Sequence, residues 1–364
     1  MDKRILITGA CGTVGSQLFS KLCRDPEYSP AEVVGVDNSE SSLFFMDQQY
    51  LDDPRARFLL ADVRDDDKIF RVMKGIDIVF HAAALKHVVL CERSPFESVQ
   101  TNIHGVQNVI QAAVENRVEK VIFTSSDKAV NPTNVMGTSK LMGERLVTAA
   151  NSNHFGGGTA FASTRFGNVL GSSGSVIPIF QKQIEKGGPV TLTDKNMTRF
   201  IMSIEQASKL VIDSAEKIRG GEVFITKMPV ICIRDLAHVM IEELAPIYGH
   251  DPSGISVIEI GAKPGEKLYE ELMSQEETRR AVELENYFAV MPAFSGIYRD
   301  IDYTYEDIVS DAVTNPYISQ DENCLSHEEL KTFLHAHDLL DMKRLHQDHP
   351  DRRYWPGEGK KKTL

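Results

Sequence analysis

Ser125-Ser126-Asp127-Lys128 sets a carboxylate beside an amine at the end of the apolar run Val121-Ile122-Phe123-Thr124, with Met136 and Lys140 a short distance beyond. An adjacent acid and amine can give and take protons at neighbouring atoms of one substrate. Near the N-terminus, the run from Arg4 to Thr8 feeds Gly9-Ala10-Cys11-Gly12-Thr13-Val14-Gly15. Glycines placed this way suit a nucleotide cofactor. Together the two stretches point to an enzyme that joins redox chemistry and proton transfer in one pocket. A solvated charge pair in a turn is the plainer reading of Asp127-Lys128. Its place after a strand at the cofactor edge favours chemistry.

The elements that must position these residues show in the hydrophobic pattern. Short apolar runs predict strands at 4–8, 33–37, 57–61, 77–81, 119–124 and 159–165, and helical stretches lie at 14–24, 95–116 and 136–151. Such alternation predicts a Rossmann-type α/β fold, a doubly wound parallel sheet with helices on both faces. Right-handed crossovers put the strand C-terminal ends on one edge. The loops after Thr8, Asp37, Asp62, Ala82–Lys86 and Ser125–Lys128 then meet at one crevice.

After residue 166, loop signals such as Gly171-Ser172-Ser173-Gly174 and Lys186-Gly187-Gly188-Pro189 mark a change of texture. The expected division is a cofactor domain over 1–167, completed by a strand near 222–226 and a helix near 233–245. A smaller α/β substrate domain over 168–220 and 245–314 follows, then a C-terminal extension from 315. Ser326-His327-Glu328-Glu329 reads as a capping box opening a helix in that extension. The basic stretch Gly357–Leu364 reads as disordered.

Gly9, Gly12 and Gly15 allow a tight turn, a close approach to pyrophosphate and close helix packing, with Thr13 and Val14 starting the helix that faces the phosphates. Asp37 follows the second strand, where an acid binds the ribose 2′-hydroxyl and repels a 2′-phosphate. NAD is therefore expected over NADP. Asp62-Val63 either faces the adenine or caps a turn. Ala82-Ala83-Ala84 offers small side chains where backbone passes close to a flat cofactor.

The chain has 364 residues, 42% of them hydrophobic, and a formal net charge of −12. That is enough for a substantial core, and the acidic balance argues against nucleic acid as the partner. No apolar run approaches the roughly 20 residues that span a bilayer, and no signal peptide precedes the first strand. A cytoplasmic enzyme with no membrane partner is expected. The five cysteines are scattered, so neither disulfides nor a zinc site is expected. His327, His335, His337, His346 and His349 read as solvated rather than metal-binding.

Several blocks carry a family resemblance. Gly-x-x-Gly-x-x-Gly, the hydroxyl residue after the fifth strand, and Lys140 four residues past position 136 resemble the extended short-chain dehydrogenase/reductases. Ala82-Ala83-Ala84-Leu85-Lys86-His87-Val88, Thr101-Asn102-Ile103-His104-Gly105, Ser126-Asp127-Lys128-Ala129-Val130-Asn131-Pro132, Arg165-Phe166-Gly167-Asn168-Val169 and Lys263-Pro264-Gly265-Glu266-Lys267 resemble the inverting UDP-N-acetylglucosamine 4,6-dehydratases of bacterial surface-glycan synthesis. The resemblance covers roughly residues 3–275, and the tail beyond 315 has no counterpart in it. The chain departs from the superfamily in having Met136 where Tyr is usual, as one partly membrane-anchored branch does. It resembles a soluble form of that branch. It also has Lys263 where Arg is common, and Arg grips phosphate bidentately whereas Lys does not.

The resemblance implies oxidation at C4 of the sugar, loss of the C5 proton and the C6 hydroxyl as water, and hydride return to C6. Lys128 is then the C5 base, its charged form disfavoured by Lys140, by the oxidised nicotinamide and by burial. Asp127 is the acid for the departing hydroxyl. Lys140 holds the nicotinamide ribose. Met136 can neither take nor give a proton, so the C4 hydroxyl proton passes to Ser126, Asp127 or a water. Lys86 and Asn102 join the cofactor contacts, and Lys86, Asn168, Arg199 and Lys263 are the expected substrate contacts, although Asn168, Arg199 and Lys263 read equally well as surface or loop-ordering residues. A homo-oligomer is expected through the helices at 95–116 and 136–151. The alternatives are a nucleotide-sugar epimerase acting at C4 or at C5/C3, and a non-catalytic NAD-binding protein.

Overall fold

The computed structural model describes residues 2–152, 158–171, 175–261, 265–294 and 301–341. Ile5, Leu6 and Ile7 are all fully buried, as a parallel strand covered on both faces requires. Six parallel strands form the cofactor half: β1 (Arg4–Thr8), β2 (Glu32–Asp37), β3 (Ala56–Leu60), β4 (Ile78–His81), β5 (Lys120–Ser126) and β6 (Ala160–Phe166). Their order is β3-β2-β1-β4-β5-β6. The chain therefore reverses its direction of winding between β1 and β4, which opens the ligand crevice of such sheets there. Thr8 lies level with Val36 and His81, so the loops that follow share one edge.

The helices of this half are α1 (Thr13–Arg24), α2 (Glu40–Gln49), α3 (Asp66–Val72), α4 (Val88–Arg93), α5 (Pro95–Val99), α6 (Gly105–Glu115) and α7 (Val135–Ala149). One face of the sheet, with Ile5 and Ile7, buries Leu18, Phe19 and Leu22 of α1 and Val211 of helix Ile204–Lys217. The other face, with Leu6 and Val79, buries Ile69 of α3, Val109 of α6 and Val147 of α7. The helical stretch expected at 95–116 is interrupted by a π-helical turn over Gln100–His104. Such turns are rare and often lie at functional sites.

The domain boundaries differ from those expected. Helix Ile204–Lys217 covers the main sheet instead of joining the smaller domain. Strand Val223–Thr226 pairs with β6, and beyond it strands Tyr287–Val290, Ala281–Leu284 and Ile308–Ser310 extend the sheet antiparallel to ten strands. Much of 281–310 therefore belongs to the main sheet. Helix Ile233–Leu244 does not return to that sheet. It shares the smaller core with helix Val176–Glu185 and helix His327–Ala336. The apolar residues of these segments decide the matter: Leu236 and Leu244 bury against Ile177, Leu330 and Leu334.

The expected capping box is present, with Ser326 and Glu329 bonding reciprocally. The helix it opens packs on helix Ile233–Leu244, and His327 and His335 meet Glu242 and Glu243 at 2.8 and 2.7 Å. Two cysteines distant in sequence also meet, with Cys232 Sγ 3.3 Å from Cys324 Sγ. Residues 342–364, with the basic stretch and His346 and His349, lie outside the described residues. Among the described residues no helix is long and apolar enough to cross a membrane.

Candidate active site

The glycine loop is shaped by contacts that a side chain would break. Gly9 has φ +68°, and a Cβ there would lie 2.7 Å from the Ala83 backbone. A Cβ on Gly15 would lie 2.1 Å from the Gly9 carbonyl oxygen, so α1 starts flush against the loop. Gly12 is the N-cap, its N–H bonding to the Gly9 carbonyl at 3.0 Å, and Thr13 and Val14 form the first turn. No acidic side chain sits in that turn, leaving its N–H groups suited to phosphate. Asp37 ends β2 and accepts from Cys11 N at 3.0 Å and Ser39 N at 2.9 Å, which fixes its carboxylate beside the loop. These residues fit a dinucleotide. Gly9→Ala is expected to weaken NAD binding by about tenfold or more, because non-glycine strain of this kind costs about 1–3 kcal/mol. Calorimetric titration with NAD checks it.

The other expected cofactor contacts lie on the loops after β3 and β4 and in the π turn. The Asp62 carboxylate accepts from Arg64 N at 2.9 Å and from the Arg64 guanidinium at 2.7 Å, and Arg64 holds its pKa down to about 2. The Asp62 carboxylate thus caps its own turn. The Val63 side chain is buried against Gly105. Asn102 is buried in the π turn. Its carboxamide donates to the Leu85 carbonyl at 3.0 Å and to Ser139 Oγ at 2.9 Å, and accepts from Leu85 N at 2.8 Å. It therefore pins the Ala82–Lys86 loop to α7. Ala82, Ala83 and Ala84 line that loop half-buried, and Lys86 is exposed on it.

The acid/amine pair sits where β5 ends. Ser126 Oγ donates to Asp127 Oδ1 at 2.6 Å, and Lys128 Nζ lies 2.9 Å from Asp127 Oδ2. The Asp127 side chain is 3% exposed and that of Lys128 32%, so the amine is the accessible member. A second carboxylate, missed in the sequence, completes the group: Glu270 Oε1 lies 3.5 Å from Lys128 Nζ. Burial disfavours the Lys128 ammonium, but Asp127 and Glu270 outweigh it and hold its pKa above the ordinary lysine value. The direction is opposite to the lowered pKa expected from burial and nearby positive charge, because Asp127 and Glu270 both lie against the amine. Burial likewise raises Asp127, but Lys128 and Ser126 outweigh it and keep that carboxyl ionised. Burial and the Asp127 charge push Glu270 up to about 7.

Arg199 and Asn168 are hydrogen-bonded within the chain. Arg199 donates to the carbonyls of Thr198, Lys267 and Leu268 at 2.7–3.1 Å, and its Nε lies 3.2 Å from Glu270 Oε1. Asn168 Nδ2 donates to Glu270 Oε2 at 2.8 Å and to the Phe200 carbonyl at 3.3 Å. Both donors are committed to holding the 265–271 segment. Lys267 Nζ ties that segment to the Val130 carbonyl at 2.9 Å, and Asn134 bonds the Gly265 carbonyl at 3.3 Å. Lys263 lies outside the described residues.

Met136 is buried at the start of α7. Lys140 is also buried, donating to the Thr124 carbonyl at 2.9 Å and lying 4.6 Å over the Phe123 ring. Burial brings its pKa down to about 8, with Glu144 acting against the fall. His81, another group the motifs did not single out, meets Thr8 Oγ1 at 2.6 Å, and burial lowers it to about 3, so it is neutral.

Residues 5–292 match the family described as polysaccharide biosynthesis protein. A UDP-N-acetylglucosamine 4,6-dehydratase (inverting) of Campylobacter jejuni is 40% identical over 303 residues, 83% of this chain and 86% of that protein. A UDP-glucose 4-epimerase of Rickettsia akari is 36% identical over 350 residues, 93% of this chain and 97% of that protein. The solved structure of Pen from Bacillus thuringiensis is 42% identical with a TM-score of 0.84, covering 93% of this chain and 98% of its own. The last two matches reach into the C-terminal extension, which the sequence reading left without a counterpart. Dehydratase and epimerase structures holding NAD share the fold at 21–24% identity and TM-scores of 0.59–0.63, over 72–73% of this chain and 86–88% of theirs.

Proposed function

Because this chain belongs to the polysaccharide biosynthesis protein family, whose relatives include nucleotide-sugar dehydratases and epimerases, we propose that it is an NAD-dependent nucleotide-sugar 4,6-dehydratase. UDP-N-acetylglucosamine is the proposed substrate, with inversion at C5. The observation that carries the reading is Asp127 beside Lys128, with buried Met136 in the place where a Tyr would serve C4 alone.

NAD, held by the glycine loop and Asp37, would supply the hydride acceptor for C4 and the donor for C6. The chain's own residues move the protons. Ser126, already hydrogen-bonded to ionised Asp127, takes the C4 hydroxyl proton as its own passes to Asp127. The resulting Asp127 acid gives that proton to the C6 hydroxyl as the C6–O bond breaks. The Lys128 amine takes the C5 proton, whose C–H electrons form the C5–C6 double bond, and a proton from water adds to the opposite face of C5 as C6 regains hydride, which gives the inversion. Lys140 orients the cofactor ribose from its buried place beside Thr124. Apolar side chains exposed on α4, α5 and α7, among them Leu90, Phe96 and Met142, suit the homo-oligomer of this reading. A cytoplasmic site of action is part of the same proposal.

Incubation with UDP-N-acetylglucosamine is expected to give a product lighter by one water in mass spectrometry, and NMR then reads C5. An unaltered substrate in the presence of bound NAD would refute the substrate assignment. The second reading is an epimerase, favoured by the match to the Rickettsia akari protein over nearly the whole chain. Epimerisation changes the sugar but leaves its mass unchanged.

A further inference from the structure

Glu270 is a buried carboxylate that the reaction above leaves without a task. It arrives on the segment after Gly265, far in sequence from Asp127, and is fixed from several sides. Oε1 lies 3.5 Å from Lys128 Nζ and 3.2 Å from Arg199 Nε, Oε2 accepts from Asn168 at 2.8 Å, and its own N–H donates to Ser319 Oγ at 2.9 Å. The charged groups facing it are Asp127 and Lys128 from the end of β5 and Arg199 from strand Thr198–Met202. On its own segment, Glu266 points to Arg199 and Glu271 to Asn131.

The proposed chemistry makes a demand that the resting site does not meet. Lys128 must act as an amine, and between two carboxylates it rests as an ammonium. Two acceptors for its surplus proton touch it. Asp127 is the closer, but it is needed as a carboxylate to receive the C4 proton. Resting on the dehydratase reading, we propose that Glu270 accepts the Lys128 ammonium proton and so frees the amine to act as the C5 base. An N–H bond on Lys128 breaks as an O–H bond forms on Glu270, and nothing is oxidised or reduced. The transfer replaces an ion pair by two neutral groups, which closure over a substrate favours. Two close, buried carboxylates resist ionising together, and Glu270, at about 7, takes a proton more readily than Asp127, held below the ordinary range. Glu270 is thus a positioning residue that acts through Lys128.

Glu270→Gln keeps the shape and an oxygen for Asn168, and loses the acceptor. With the unaltered protein as reference, KM is expected to stay within about threefold and kcat near neutral pH to fall by about 10²-fold. The rise of kcat with pH near 7 should disappear, and activity should return only at alkaline pH, where Lys128 deprotonates unaided. A pH profile parallel to that of the unaltered protein would overturn the proposal whatever the drop in kcat. A readout without substrate separates this from failure of the dehydratase reading. NMR of the 13C-labelled Lys128 side chain should show a second inflection near pH 7 that Glu270→Gln removes. A single lysine titration, identical in both proteins, would overturn the proposal even in an active enzyme. A lost inflection in a protein that releases no water would instead leave Glu270 assigned and the substrate wrong.

Discussion

Lys128→Met is expected to lower kcat for water loss by about 10²–10⁴-fold, the usual contribution of a placed acid or base, while NAD binding is unchanged. Lys128→Arg is expected to lose as much. Arg keeps the positive charge between Asp127 and Glu270, but its pKa above about 12 bars it from giving up a proton. The pair of variants separates two tasks of one side chain. If Lys128 serves only to neutralise the two carboxylates that lie 2.9 and 3.5 Å away, Arg will restore activity. If it removes the C5 proton, Arg will fail with Met. Exchange of solvent deuterium into C5 locates the block, since both variants should still oxidise C4 but incorporate no label there. An Arg variant within about threefold of the unaltered kcat would remove Lys128 from the role of base.

Elements that depend on local pattern were legible in the sequence. The run Ile5-Leu6-Ile7 is buried on both faces, and the glycines after it are demanded by contacts a few residues away. β1 runs over the residues expected, and the other five parallel strands lie within two residues of their expected ends. What escaped was decided by segments that meet only after folding. The pKa of Lys128 moves opposite to expectation because Asp127, and with it Glu270 from a segment distant in sequence, outweigh burial. Arg199 read equally as a diphosphate contact or a loop-ordering residue, and its donors bond the carbonyls of Lys267 and Leu268. Asn102 gave no sign that a π turn would aim it at Leu85. One signal for Glu270 was available: the acidic stretch Glu266-Lys267-Leu268-Tyr269-Glu270-Glu271 continues a motif already tied to the site. Helix Ile233–Leu244 was expected on the main sheet, but its apolar face packs with helices Val176–Glu185 and His327–Ala336, which come from distant parts of the chain.

Arg165→Ala is expected to cost about 3–5 kcal/mol of stability, the range for removing one partner of a buried ion pair. Arg165 is 1% exposed and holds two buried carboxylates at once. Its guanidinium meets Glu144 of α7 at 2.6 and 3.0 Å and Glu277 at 3.2 Å, and donates to the Leu272 carbonyl at 2.7 Å. Ser125 of β5 also donates to Glu144. One side chain on β6 therefore joins β5, α7 and the 272–277 segment that follows Glu270. Burial alone would raise Glu277, but Arg165 brings it down to about 2. Against an unfolded value of about 4.3, the lowered folded pKa adds stability that is fully present above that pH and is lost as pH falls toward 2. Without Arg165 the sign reverses. Burial, the largest effect on Glu277, is then no longer offset by the guanidinium, so that carboxyl moves above its unfolded pKa and the variant loses stability as pH rises through neutrality. Urea unfolding at pH 5 and pH 8 reads both effects, with the deficit expected to be larger at pH 8. Combining Arg165→Met with Glu144→Gln and Glu277→Gln removes the stranded charges and should recover most of the loss, because desolvated ion pairs and apolar replacements of like volume differ little in net stability. A deficit that is the same at both pH values, or that persists in the triple variant, would mean that lost packing around Arg165, and not its charge, holds the 272–277 segment to the sheet.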